Sequence, residues 1–233
     1  LAVLEFQDAL EIDPNAATIH ISIADGYRRL GRSKHAENHL EIAITLDSND
    51  ITAREMLGQL YLLNRQYKLA ENQFLALSKI DLNNDNYLSI LGDLAKLQKE
   101  WNKSIDFYLK AYQVNPQNLK VLESAMQVCL SVELFKKAEK ICKILVEYNI
   151  NNSNYWLTYK QITAYNKNYH NTLNAIKELE RIEGESIKLT LEKSAIIQEL
   201  NNIKEAIKIL LKAHDPDSAN VEIVKRLVSL YLE

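Results

Sequence analysis

Residues 53–77 read AREMLGQLYLLNRQYKLAENQFLAL, and this stretch contains two amphipathic segments separated by the polar turn Asn64-Arg65-Gln66. In both segments the apolar residues recur at spacings of three and four, which places them on one face of an α-helix. These residues are Leu57 and Tyr61 in the first segment, and Ala70, Phe74 and Leu77 in the second. The stretch therefore predicts two short helices joined by a tight turn.

The same pattern recurs along the chain with a period of 34 residues. A small residue of the second segment marks each step of the series Ala2, Ala36, Ala70, Ser104, Ala138, Thr172 and Ala206. Small residues of the first segment form the series Ala24, Gly58 and Gly92, with Tyr27 and Tyr61 three residues after the first two. We interpret these residues as packing positions, because small side chains let neighbouring helices approach closely. A constant period of this length is typical of repeat proteins.

This pattern resembles that of the tetratricopeptide repeat (TPR) family, and the resemblance covers the whole chain. It implies an all-α fold, an α-solenoid of antiparallel helix pairs wound into a right-handed superhelix with a concave groove lined by the first helices. Residues 17–220 form six repeats, which start near residues 17, 51, 85, 119, 153 and 187. Residues 1–16 match the second helix of a truncated repeat, and residues 221–233 match the first helix of a further one. We interpret the chain as a single array within a longer protein.

Composition and charge argue against several classes of function. The 233 residues carry a net charge of −3, a balance that gives no overall positive charge for binding nucleic acid, so we expect no nucleic acid partner. No apolar run approaches the roughly 18 residues of a membrane span, so we expect no direct membrane insertion. The five glycines are dispersed and form no phosphate-binding loop, and we find no catalytic constellation and no sign of a cofactor. We therefore predict that the chain is not an enzyme, and its compartment, cytoplasmic or periplasmic, stays open.

Polar side chains recur on the part of each first helix that does not enter the core. Carboxylates and amides dominate this set, which is Asp25, Glu55, Gln59, Asp93, Glu123, Gln127 and Gln161, with Arg28, Arg29 and Lys96 near its inner edge. Amide side chains can pair with the backbone of an extended peptide, and carboxylates can bind its Lys or Arg side chains. The residues expected at the carboxylate-binding clamp of some TPR cochaperones include none that is basic, so we reject that site. A solvated helix face with no ligand is the competing interpretation.

Four other groups of side chains have simple structural explanations. His35 and His39 lie four residues apart and could bind a metal, but no third ligand is evident, and His20, His170 and His214 look isolated. Cys129 and Cys142 fit two buried free thiols better than a disulfide, although the sequence does not decide this. Lys136, Lys137, Lys140 and Lys143 form a basic edge for which a solvated face is the default. Tyr155 and Tyr165 are either an exposed binding hot spot or ordinary packing.

These observations favour a non-enzymatic scaffold or adaptor that binds a peptide segment or partner protein in the groove. One alternative is a TPR arm of a larger glycosyltransferase or of a polysaccharide or protein secretion complex. A further alternative is a structural scaffold that self-associates through the truncated ends of its solenoid.

Overall fold

The computed structural model describes residues 6, 8, 10–214 and 220–232, and within these residues the chain is helical and contains no strand. The first helices of the repeats are α1 (Ala17–Arg29), α3 (Ile51–Leu63), α5 (Asp85–Leu97), α7 (Leu119–Ser131), α9 (Ser153–Tyr165), α11 (Ile187–Glu199) and α13 (Val221–Tyr231). The second helices are α2 (Ser33–Leu46), α4 (Tyr67–Ile80), α6 (Trp101–Val114), α8 (Phe135–Tyr148), α10 (Tyr169–Glu183) and α12 (Ile203–Ala213). The predicted all-α fold of paired helices is confirmed.

Both sets of helices begin at intervals of 34 residues. Residues 6, 8 and 10–12 are also helical, whereas Ala2 and the rest of the predicted helix before residue 10 lie outside the described residues. The chain divides into two compact units, unit 1 at Leu1–Val128 and unit 2 at Cys129–Glu233. A single array through both units stays a prediction.

Helix starts follow the turn chemistry of the sequence. Asp50, Asn84, Asn152 and Ser186 precede first helices, and each accepts a hydrogen bond from a backbone N–H of the first turn. Such caps satisfy donors that have no partner within the helix. They mark where α3, α5, α9 and α11 begin.

From α1 to α6 each helix packs against the next helix along the chain, and the small residues are buried in this part of unit 1. Ala36, Ala70 and Ser104 are completely buried, and the Ser104 hydroxyl donates a hydrogen bond to the Gly92 carbonyl at 2.8 Å. A Cβ atom on Gly92 would lie only 2.6 Å from Cε1 of Tyr108. Glycine at this position therefore allows the close approach of α5 and α6.

The turns inside the repeats share one unusual backbone conformation. A residue with φ between 57° and 70° occurs in each of them, and the six residues are Gly31, Arg65, Lys99, Glu133, Lys167 and Asn201. Only the first of these is glycine, although a left-handed conformation disfavours residues with a Cβ. The hydrogen bonds and packing of the helix pair hold the other five in place.

Unit 2 has its own core, to which the small residues Ala138, Thr172 and Ala206 contribute. Cys129 and Cys142 are both buried and free, and burial raises the pKa of the Cys142 thiol to about 12. Burial raises the pKa of the Cys129 thiol as well, so neither thiol is poised to react at neutral pH. None of the described helices combines the length and apolar character that crossing a membrane requires.

Candidate functional site

The exposed face of the first helices in unit 1 carries carboxylates that already have partners. On α1, Asp25 binds Arg28 at 2.6 Å and Arg29 at 2.7 Å. The hydrogen bond from Arg28, and next to it that from Arg29, holds the pKa of Asp25 below its ordinary value against the effect of burial. The two arginines outweigh the single carboxylate, so the local charge around Asp25 is net positive. The reason is the spacing of three and four residues, which aligns both guanidinium groups with Asp25.

Glu55 and Asp93 are held by buried tyrosines. The Tyr87 hydroxyl of α5 donates to Glu55 of α3 at 2.5 Å, and the Tyr108 hydroxyl of α6 donates to Asp93 of α5 at 2.5 Å. Burial first, and then the adjacent carboxylate, raises the pKa of both phenols, so both hydroxyls stay protonated donors. Each carboxylate is thereby fixed in position while keeping further acceptor sites.

The other predicted groove residues lie at or near the surface of their own units. Gln59, Gln127, Gln161 and Lys96 are exposed, and Glu123 is half-buried. Among the packing residues, Tyr61 is buried, whereas Tyr27 is only half-buried. The exposed amides are available for hydrogen bonds to another chain.

A cavity of about 400 Å³ lies between α9, α10 and α11 in unit 2. Its apolar lining consists of Leu157, Ala164, Ile176, Ala195 and Ile196. Its polar lining consists of Lys160, Gln161, Thr172, Lys188 and Glu192, and the Lys160 ammonium donates to the Glu192 carboxylate. Of these residues only Gln161 belongs to the predicted site. The sequence feature that could have pointed to the others is Lys160, because a lysine stands there at the repeat position that Ala24, Gly58 and Gly92 occupy in earlier repeats.

The histidines of α1 and α2 form a cluster, and the expectation that His20 is isolated is wrong. Nδ1 of His20 and Nδ1 of His39 lie 2.9 Å apart, and the Tyr27 ring contacts the rings of His35 and His39. The sequence missed this contact because it joins two helices at a separation of 19 residues. The described residues contain no group of three or more side chains arranged as metal ligands.

Unit 1 should lose stability as the pH falls below about 6.5, the ordinary pKa of histidine in an unfolded chain. Burial first, and then the neighbouring His20 and His35, keeps the pKa of His39 below its ordinary value. The unfolded chain therefore takes up this proton more readily than the folded chain does. The contribution of neutral His39 to stability is present above about pH 6.5 and is lost as the pH falls below it. The other groups at this contact are the Tyr27 ring and the Pro14 carbonyl, which lies 3.4 Å from Nε2 of His20.

Urea unfolding at about pH 7.5 and 5.5 measures this effect, with the His39→Gln variant as the test. The variant should lose less stability than the parent chain on acidification. The matched control is His170→Gln on α10, an exposed residue of unit 2 that should leave the pH dependence of unit 1 intact. An equal loss in the parent chain and His39→Gln would contradict the assignment.

The aromatic side chains of α9 divide between core and surface. Trp156 and Tyr159 are buried, and the Trp156 indole donates to the Ile150 carbonyl at 2.8 Å. Tyr165 is 64% exposed, and its ring contacts the Phe135 ring at a tilt of 37° with ring centroids 3.8 Å apart. Tyr155 is half-buried, and its carbonyl accepts a hydrogen bond from Cys142. The two tyrosines therefore do not form a joint exposed surface.

Comparisons with known proteins identify the fold. No protein-family model matches the chain, and no curated protein sequence does so either. YrrB, described as a TPR protein with an unusual peptide-binding site, shares 17% identity over 79% of this chain and 95% of its own, with a TM-score of 0.54.

Two further solved structures match almost the whole chain. A tetratricopeptide repeat protein from Parabacteroides merdae shares 15% identity over 100% of this chain and 91% of its own, with a TM-score of 0.53. A chain in the structure of Naa15/Naa10 bound to HypK-THB shares 15% identity over 97% of this chain but 35% of its own, with a TM-score of 0.64. The helix pairs and these matches confirm the predicted resemblance, and the chain has the tetratricopeptide-repeat fold.

Proposed function

We propose that the chain is a non-enzymatic scaffold whose first helices bind an extended segment of a partner protein. The observation that carries this proposal is the pair of carboxylates fixed at the surface, Glu55 by Tyr87 and Asp93 by Tyr108. Acceptors that folding has already positioned lose little freedom when a ligand binds, and this favours affinity. The peptide-binding site named for YrrB is consistent with the same role here.

The ligand chemistry follows from the same two side chains. Each carboxylate can accept a charge-assisted hydrogen bond from a Lys or Arg side chain while its tyrosine partner stays bound. Exposed amides such as Gln59 supply both donors and acceptors for a peptide backbone. Because both phenols stay protonated at neutral pH, we assign them a positioning role rather than acid–base chemistry. The alternatives, a TPR arm of a glycosyltransferase or secretion complex and a self-assembling scaffold, stay predictions.

The Glu55→Gln/Asp93→Asn double variant should weaken partner binding by about tenfold or more without unfolding the chain. The amides remain acceptors for Tyr87 and Tyr108, so the change removes the negative charges but keeps these hydrogen bonds. Replacement of Glu55 and Asp93 by lysine would also remove the oxygen atoms that accept these hydrogen bonds, and would therefore not separate charge from positioning.

Binding is measured by capture from source-cell extract, identification by mass spectrometry, and titration of the purified partner with each variant. Asp106→Asn makes the same chemical change at an exposed residue of the second helix α6 and serves as the control. Its affinity should equal that of the parent chain. If the double variant binds the partner as tightly as the control does, the proposal is wrong.

A further inference from the structure

Lys160 is the one Lys or Arg side chain that is buried among the described residues. Its side chain is 9% exposed and lies on α9, at the register where earlier repeats have Ala24, Gly58 and Gly92. Those small residues lie at helix contacts, where a long charged side chain is costly unless it has a partner. This repeat therefore differs from the earlier ones at a position that normally serves packing.

The partner of Lys160 is Glu192 on the neighbouring first helix α11, and the side chain of Glu192 is 34% exposed. A buried ion pair is weak evidence for stability, since apolar residues of similar volume often stabilise a protein as well or better. Stability alone therefore does not explain why a charge lies here. The pair does give the adjoining cavity a fixed ammonium group.

The cavity has the size and composition of a binding site. Its volume of about 400 Å³ lies within the range that accommodates small ligands or one large side chain. One wall is apolar, and at its edge Leu157 is 40% exposed. Lys160, Gln161 and Lys188 face the same space, so a ligand can contact apolar and polar groups together.

The charges of the lining favour an anion. Lys160 and Lys188 supply two positive charges against the single negative charge of Glu192. Lys188 is exposed, lies in the first turn of α11, and forms no ion pair within the described part of the chain. The N-terminal end of a helix adds a small positive potential at the same place.

We propose that this cavity is a subsite for a carboxylate joined to an apolar group in a bound peptide. The apolar group contacts the wall at Leu157 and Ile196, and the carboxylate binds Lys188 and Lys160. The carboxylate is either an Asp or Glu side chain or the end of the peptide chain. The inference rests on the proposed scaffold function and names the ligand chemistry of one of its subsites.

The test uses four fluorescein-labelled heptapeptides, measured by fluorescence polarisation against the full chain. Three have amidated ends and a central leucine next to Asp, Asn or Lys, and the fourth ends in leucine with a free carboxylate. We expect the Asp peptide, the free-carboxylate peptide or both to bind at least about tenfold more tightly than the Asn and Lys peptides. The stronger of the two carboxylate peptides identifies the source of the carboxylate.

Two variants connect this preference to the cavity. Lys188→Gln changes an exposed side chain, so the fold should tolerate it. The variant should lower the affinity for the carboxylate peptides by about tenfold. Lys160→Met keeps much of the length of the side chain without its charge. Provided that its melting curve shows a folded chain, this variant should bind the same peptides with lower affinity. Lys177→Gln, at an exposed residue of α10 outside the cavity lining, should leave every affinity unchanged.

Three results would overturn the inference. They are equal affinity for the Asp, Asn and free-carboxylate peptides, unchanged affinity in Lys188→Gln, and no binding of any peptide up to about 1 mM. The scaffold function is tested separately, through Glu55 and Asp93 in unit 1. A partner that depends on those two residues, together with no carboxylate preference in unit 2, would reject the subsite and leave the scaffold function standing.

Discussion

Replacing Ala70 with glutamate is expected to lower the free energy of unfolding by about 3–5 kcal/mol. Ala70 has no exposed surface and lies on α4, in the core cluster that contains Leu57, Phe74 and Leu77. A glutamate there must either bury an unpaired charge or push the neighbouring helices apart. Urea unfolding of the parent chain and of Ala70→Glu measures the loss.

Leu69→Glu is the matched control, because it places the same side chain on the same helix one residue earlier. Leu69 is 41% exposed, so its replacement should change the free energy of unfolding by no more than about 0.5 kcal/mol. The contrast between adjacent positions tests the 34-residue register directly. Unfolding curves of Ala70→Glu that overlie those of the parent chain would refute that register.

Replacing Gly92 with valine is expected to cost about 2–3 kcal/mol through overpacking. A Cβ atom at this position would lie 2.6 Å from Cε1 and 2.7 Å from Cδ1 of Tyr108, well inside normal contact distance. The Tyr108 ring has little room to move, because it is buried and its hydroxyl is bound to Asp93. The gain in helix propensity over glycine is too small to offset the clash.

A double-mutant cycle with Tyr108→Leu assigns this loss to the ring. In the Tyr108→Leu background the ring is gone, so Gly92→Val should cost markedly less than in the parent chain. Free energies from urea unfolding of the four proteins complete the cycle. If the cost of Gly92→Val is the same in both backgrounds, another contact causes it.

Most of the fold could be predicted from local and periodic features of the sequence. Apolar residues at spacings of three and four predict each helix, and the recurrence from Ala36 to Ala206 predicts that the helices come in pairs. These predictions succeed because each repeat packs mainly on its neighbours in sequence, so the necessary information lies within a short stretch of chain. Caps such as Asp50 and Asn84 mark helix starts for the same reason.

The candidate site was less predictable, because its geometry depends on contacts between helices. The sequence places Glu55 and Asp93 on exposed faces, but it does not show that Tyr87 and Tyr108 bind them. It marks Lys160 as an exception to the small-residue series, but its burial, its pairing with Glu192 and the adjoining cavity are evident only from the structure. The contact between His20 and His39 was likewise missed.

By itself the sequence determined the helices, their pairing and the period, since these follow from hydrophobic spacing, small residues at helix contacts and capping residues. Only the tertiary structure decided which polar side chains are bound to other side chains and which backbone positions are left-handed. In the turns inside the repeats only Gly31 and Asn201 are residue types that commonly adopt a positive φ, and yet Arg65, Lys99 and Glu133 adopt the same conformation. The physical reason is that packing of the helix pair outweighs the local preference of one residue, which amounts to about 1–2 kcal/mol.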